Sequence, residues 1–260
     1  MCDFGRIASN AIRHKILTDP GATDLGFERA AVEAVGEEWA EVEPSNDTLE
    51  RLRASRLTEV RPEGVAGESK VVWKIETFQQ VLLYRIVMLA DGCTAAWNAR
   101  NPLASVLCAR AIMETTALLY DFHARLKALC DAGDLPAIDA LVMNRTFSTR
   151  LSDWREQAEG VKAINILTII ERMDKQLLKG TFHHYEYLSE ICHPNSLGHN
   201  LMFGNLNHDT AIVGLSDSAA LDRAHFDHIF AAFFLLNLVE CFLPKIRALL
   251  PRVVEISEAR

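Results

Sequence analysis

Residues 181–195 read TFHHYEYLSEICHPN and gather three imidazoles, two carboxylates, a thiol and several hydroxyls into one short stretch. Wound as a helix, it sets His183, Glu186, Glu190 and His193 at spacings of three, four and three, with Tyr187 and Ser189 at the border of that face. Carboxylates beside imidazoles can ligate a metal or move protons. Glu190-Ile191-Cys192-His193 is an ExxH arrangement of the kind di-iron bundles carry, but such bundles need a second ExxH and further glutamates, and this chain has one motif. Adjacent Cys192 and His193 point in different directions on a helix, which disfavours zinc. No metal and no other cofactor is expected. Ser189 lacks a GxSxG elbow. Metal-free phosphodiester cleavage is the remaining chemistry, with His193 as acid or base, Arg110 stabilising phosphoryl charge, and Tyr187 or Ser189 positioning substrate.

The elements that would hold these residues are helical. Residues 71–98 repeat Ile75, Phe78, Leu82, Ile86, Leu89 and Cys93 at three- and four-residue spacing, interrupted by Arg85, which needs an acidic partner or a route to water. Asn101-Pro102 predicts a capped helix start, and the helix to about residue 128 places Arg110 and Glu114 four apart beside Leu107, Ala111 and Met113. Their spacing allows either a partly buried structural pair or one side of a polar site with the 181–195 helix. Shorter helices are predicted over 137–142, 149–159 and 161–178. Gly180-Thr181 marks a break and Pro194 ends the next helix at His193. Residues 196–215 are turn-rich, with LMF and AIV as candidate short strands. Ser216, Asp217 or Ser218 would cap a last major helix with its apolar run at 229–243, before Pro244 and a short tail helix over 245–254. The predicted fold is all-α, an antiparallel helical bundle with a small irregular or hairpin insertion near 196–215.

Upstream, residues 27–42 pattern as a surface helix closed by Pro44, and 48–57 as a second, followed by a connection at 61–68. Residues 1–70 carry nine basic against fourteen acidic side chains, which accounts for most of the formal net charge of −8. On that compositional change, 1–70 is read as an acidic helical appendage and 71–260 as the principal domain. The acidic balance, with pI near 5.6, argues against broad attraction to nucleic acid or an anionic membrane. The run at 229–243 is short for a membrane span and reads as a buried helix. Six scattered cysteines without a CxxC pair, and an N-terminus lacking a secretion signal, predict reduced thiols and a cytoplasmic location.

ARAIMETTALLY at 109–120, KAINILTIIERMDK at 162–175 and YEYLSEICHPNSLGH at 185–199 together resemble an uncharacterised all-helical family of prokaryotic proteins. That family carries an Arg-x-x-x-Glu helix and a Tyr-x-x-Leu-Ser-Glu-x-x-His-Pro signature. Arg110 and Glu114 match the first motif, and Tyr185, Leu188, Ser189, Glu190, His193 and Pro194 the second. The resemblance, over about residues 71–245, makes Tyr185 a site residue, whereas Tyr187 is favoured by its place on the acidic face. The family is in turn distantly similar to HEPN-type helical domains, which include metal-independent ribonucleases and non-catalytic binding modules. Their ribonuclease motif is Arg-x4-6-His with a polar residue after the arginine. Arg223 to His228 has that spacing, with Ala224 in place of the polar residue. Two functions follow: an interaction or sensor module in which Arg110, Glu114, Tyr185, Ser189, Glu190 and His193 form a polar cluster, or a HEPN-like ribonuclease in a stress or antiviral system that uses them. The partners these imply are RNA, another protein or a second copy of the chain, and no membrane.

Overall fold

Asn101 and Pro102 set the central hinge of the molecule. In the computed structural model, which describes residues 26–148, 164–217 and 220–259, they separate two long helices. These are α4, Lys70–Asn98, which follows the one-turn α3, Val65–Glu68, and α5, Pro102–Ala132. The Asn101 side chain accepts from the Ala104 N–H at 3.1 Å, and Pro102 occupies the first turn, where its missing donor costs nothing. At the far end Gly133 adopts φ 68° and closes α5, a left-handed conformation that suits glycine. Asp134 then caps α6, Leu135–Phe147, by accepting from Ala137 N–H at 3.1 Å. Arg85 meets its predicted need at the surface: it is exposed and donates from Nε to Thr115 Oγ1 at 3.2 Å.

The chain continues through α7, Ile166–Gln176, α8, Thr181–Cys192, a π-turn at Leu197–Leu201, strands β1, Gly204–Asn207, and β2, Ile212–Leu215, and then α9, Arg223–Phe234, α10, Leu236–Arg247, and α11, Leu250–Glu258. Helix α5 touches α4 and every helix from α6 to α11, so it is the axis of the bundle. The architecture is the expected all-α bundle with a small hairpin in the 196–215 region. The strands are antiparallel, with Gly204 opposite Leu215 and Asn207 opposite Ile212. LMF precedes β1 instead of forming it. The helix expected over 149–159 lies outside the described residues.

Several boundaries differ from expectation. Pro44 lies inside α2, Trp39–Ala54, instead of ending a helix, and Gly36 at φ 79° makes the break after the short α1, Arg29–Glu33. The Pro44 carbonyl is used by Thr48 Oγ1, which donates to it at 3.0 Å. The last major helix begins at Arg223 because Asp222 accepts from the His225 N–H at 2.9 Å. Pro244 is likewise inside α10, and the turns at Leu235 and Leu249 separate α9, α10 and α11. By length and composition alone, Pro102–Ala132 and Arg223–Glu258 pass as long and apolar enough to cross a membrane, and about half of each apolar window is buried inside the bundle.

The helices before Lys70 share the core of those after it. Phe27 lies edge-on to Phe226 and Phe233 at centroid distances of 5.2 and 4.8 Å. Asn46 holds both the N–H and the C=O of Phe27 at 3.0 Å. Arg51 pairs with Glu240 at 2.6 Å, tying α2 to α10. The charge boundary at residue 70 is thus a change of surface composition, and the buried side chains on both sides form one cluster. Cys93, Cys108, Cys130 and Cys192 form no disulfide.

Candidate functional site

Helix α8 owes its position to its neighbour in sequence. Asp174 in α7 accepts from the N–H groups of Gly180 at 2.7 Å and Phe182 at 3.1 Å, so the start of α8 is satisfied by a carboxylate against its positive end. Thr181 instead donates its hydroxyl to Leu178 O at 2.7 Å. At the other end His193 takes the extended conformation imposed by Pro194, with φ −86° and ψ 146°. Gly198 then passes so close that an added Cβ would run into the His193 carbonyl oxygen.

Three faces of α8 have different fates. His183, Glu186, Glu190 and His193, the stripe expected from spacing to carry the chemistry, are all exposed. Glu190 Oε2 accepts from Asn195 Nδ2 at 2.7 Å, and the His193 imidazole forms no hydrogen bond or ion pair among the described residues. Tyr185, Leu188, Ser189 and Cys192 turn inward towards α5. His184 and Tyr187 face α9.

On the inward face the structure brings together Arg110, Glu114 and Tyr185. Tyr185 donates its hydroxyl to Glu114 Oε1 at 3.0 Å, and the Arg110 guanidinium lies over the Tyr185 ring at 5.7 Å. Arg110 Nε is 3.3 Å from Glu114 Oε1, within ion-pair reach but not aligned as a hydrogen bond, so this buried N–H has no bonded partner among the described residues. Burial pushes the Cys192 thiol up, and the neighbouring Arg110 partly offsets that. The Ser189 hydroxyl is also buried without a partner among the described residues, and the structure offers no physical reason for it. One carboxylate shared by a phenol and a guanidinium fastens α8 to α5. Tyr185, the residue implied by the resemblance, occupies this network, and Tyr187 does not.

A second cluster joins α8 to α9. Nδ1 of His184 is 3.1 Å from Nδ1 of His228. The Tyr187 and His228 rings stack at 3.8 Å and 10°, and His183 lies 5.5 Å from His228 by ring centroid. Burial, then the charges of His184, His183 and His225, push His228 down to about 4. His184 is also lowered, by burial first and then by His183, against a raising contribution from Asp227. Both rings are neutral near pH 7, so one Nδ1 donates and the other accepts. Deeper in, His225 holds Asp222 at 2.8 Å through Nδ1, while its Nε2 is buried without a partner among the described residues. Burial pushes the Asp222 carboxyl up, but bonds from the His225 N–H and ring outweigh this and leave it lowered.

Beside this cluster lies a cavity of about 540 Å³. Met113, Leu178, Phe230 and Phe234 supply its apolar wall, and Glu37, Glu41, Lys179, His184, Arg223 and Asp227 its polar one. Arg223 spans the rim, with Nη2 3.2 Å from Glu37 and Nε 3.9 Å from Asp227. Burial, with the charge of Glu37 second, pushes the Asp227 carboxyl up. Spacing on α8 alone did not single out His184, Glu37 or Asp227. The signal in the sequence is that α9 repeats histidine at 225 and 228, one turn apart. Among the described residues no group of three or more histidine, cysteine, aspartate or glutamate side chains is arranged to hold a metal ion.

Comparison of the chain with protein-family models, with curated proteins and with solved structures finds no match.

Proposed function

We propose that the protein is a helical ligand-binding or sensor module, and that its ligand enters the cavity between α8, α9 and the start of α2. The observation that carries this reading is the cavity itself. Its volume of about 540 Å³ lies within the range of small-molecule sites, and its wall opposes aromatic and aliphatic side chains to a compact set of charged ones. A small amphipathic molecule fits that division, its apolar part against Phe230 and Phe234 and its polar group at Arg223, Asp227 and His184. Arg110, Glu114 and Tyr185 then have a structural role, since their polar atoms are directed at one another. Ligand-observed NMR with a panel of small amphipathic amines, carboxylic acids and amides tests the reading. Members of one class should broaden with the wild type and not with Ala231→Trp, which fills the cavity. A panel that behaves identically with both proteins would sink it.

A ribonuclease of the HEPN-like kind is the alternative reading, favoured by one specific arrangement. Arg223 and His228 share α9, and His228 faces His184 at 3.1 Å, so two imidazoles and a guanidinium are near one rim. His228 stays neutral near pH 7 and is there a weak base, and Arg223 can neutralise phosphoryl charge. Incubation with single-stranded RNA in EDTA should then give cleavage that His228→Ala abolishes and His193→Ala does not. Uncut RNA across a wide pH range removes this alternative and leaves the binding module.

A further inference from the structure

We propose that a second cavity, walled by Arg125, Arg145 and Arg172, binds a phosphate group, as inorganic phosphate or a small phosphomonoester. Its foundation is Asp121 on α5, which is fully buried. Arg125 Nε donates to both Asp121 oxygens at 3.0 and 2.9 Å, Arg145 Nη2 to one at 2.5 Å, and Arg172 Nη1 to the other at 2.6 Å. One carboxylate therefore holds three guanidinium groups drawn from α5, α6 and α7, and two positive charges remain uncompensated within the cluster.

All three arginines line a cavity of about 350 Å³, whose polar wall is completed by Asn144, Asn165 and Thr168. Asp121 aside, this wall contains no carboxylate among the described residues. The Arg145 side chain is 8% exposed, and its Nε is buried with no hydrogen-bond partner among them. Arginine cannot shed that proton, and the Asp121 oxygens are already engaged by other donors. Tying three helices to one aspartate explains the bonds that are made. It explains neither the surplus charge nor a buried N–H left without an acceptor.

An anion in the cavity supplies the missing counter-charge, beside the partly exposed guanidinium groups of Arg125 and Arg172. The start of α7 reinforces it: Asn165 is the N-cap residue, yet its side chain accepts no first-turn N–H, so the positive end of an eleven-residue helix lacks a side-chain cap beside the cavity. A phosphate dianion matches the two surplus charges, which a carboxylate monoanion does not, and its oxygens suit the guanidinium forks. This cavity shares no lining residue with the one assigned to the amphipathic ligand, and the inference stands without that assignment.

Isothermal titration calorimetry of the full chain at about pH 8, where a phosphomonoester carries both charges, tests the proposal with inorganic phosphate and with phenyl phosphate. Sodium chloride at matched ionic strength is the blank. Saturable binding is expected, weakened about tenfold in Arg172→Gln, which keeps Asp121 paired with Arg125 and Arg145. Asn165→Ala should weaken it also, and serves if Arg172→Gln fails to fold. Arg252→Gln, away from the cavity, should bind as the wild type does. Preference for phenyl phosphate identifies an ester as the ligand, and preference for inorganic phosphate identifies the free anion. Heats from both anions equal to the blank overturn the proposal. So does wild-type affinity in both cavity variants.

Discussion

Nδ1 of His184 and Nδ1 of His228 face each other at 3.1 Å across the contact between α8 and α9. At that distance one ring must donate and the other accept, so the contact exists only while at least one Nδ1 is unprotonated. Tyr187, stacked on His228, and Asp222, holding His225, fix the surrounding rings in place.

Acid should therefore loosen this side of the bundle. His228 sits at about 4 in the folded protein against 6.5 as its ordinary value, so between these limits the unfolded chain binds more protons. The stability contributed is complete above about pH 6.5 and is lost as pH falls towards 4. For a half-buried ring it amounts to about 1–2 kcal/mol after solvent screening. Urea unfolding at about pH 7.5 and about pH 5 should show the loss in the wild type. His228→Phe, which retains a ring against Tyr187, should show a smaller one. Equal pH slopes in the two proteins would count against the assignment.

The Arg110, Glu114 and Tyr185 network predicts coupling between α5 and α8. Tyr185→Phe removes the 3.0 Å bond to Glu114 and keeps the ring beneath Arg110. Its cost should be about 1 kcal/mol. Glu114→Gln should cost a similar amount, because Arg110 Nε loses its counter-charge. In a double-mutant cycle the pair should be non-additive by about 0.5–1 kcal/mol, measured by denaturant unfolding.

Asp121→Ala should destabilise the protein more than either Tyr185→Phe or Glu114→Gln. It leaves Arg125, Arg145 and Arg172 facing one another with Arg145 buried, and removal of one partner from such a buried ionic group costs about 3–5 kcal/mol. Asp121→Asn should cost less than Asp121→Ala, since it keeps an acceptor oxygen. Thermal unfolding of the wild type and the two Asp121 variants gives the order directly.

Gly198→Ala tests the turn after α8. The new Cβ would run into the backbone oxygen of His193 and lie 2.8 Å from that of Ile191, and backbone cannot yield as a flexible side chain can. Hydrogen exchange should accelerate between residues 193 and 215 while α4 and α5 remain protected.

The helical architecture is legible in the sequence because apolar spacing, the Asn101-Pro102 start and the turn-rich 196–215 segment act over a few residues. Proline is the main source of misplaced boundaries. Pro44 reads as a stop and Pro244 as a kink or a stop, yet both sit inside helices whose flanking faces are buried, and tertiary packing outweighs the lost local bond. Before residue 70 the apolar positions Phe27, Leu49 and Leu52 are legible in the sequence, and with Val42 they enter the common core. Net charge reports a surface, and these residues are not on it.

The candidate site divides in the same way. By itself the sequence determined that α8 would be rich in reactive groups and that Arg110 and Glu114 would lie one turn apart, since both follow from helical periodicity. Only the tertiary structure decided which groups meet. Packing against α5 and α9 leaves His183, Glu186, Glu190 and His193 in solvent, seats Tyr185 on Glu114, and brings His184 to His228 across 44 positions of chain. Helical spacing specifies which side chains share a face. Which face is buried, and what it meets there, depends on the apolar surface of every other helix in the bundle.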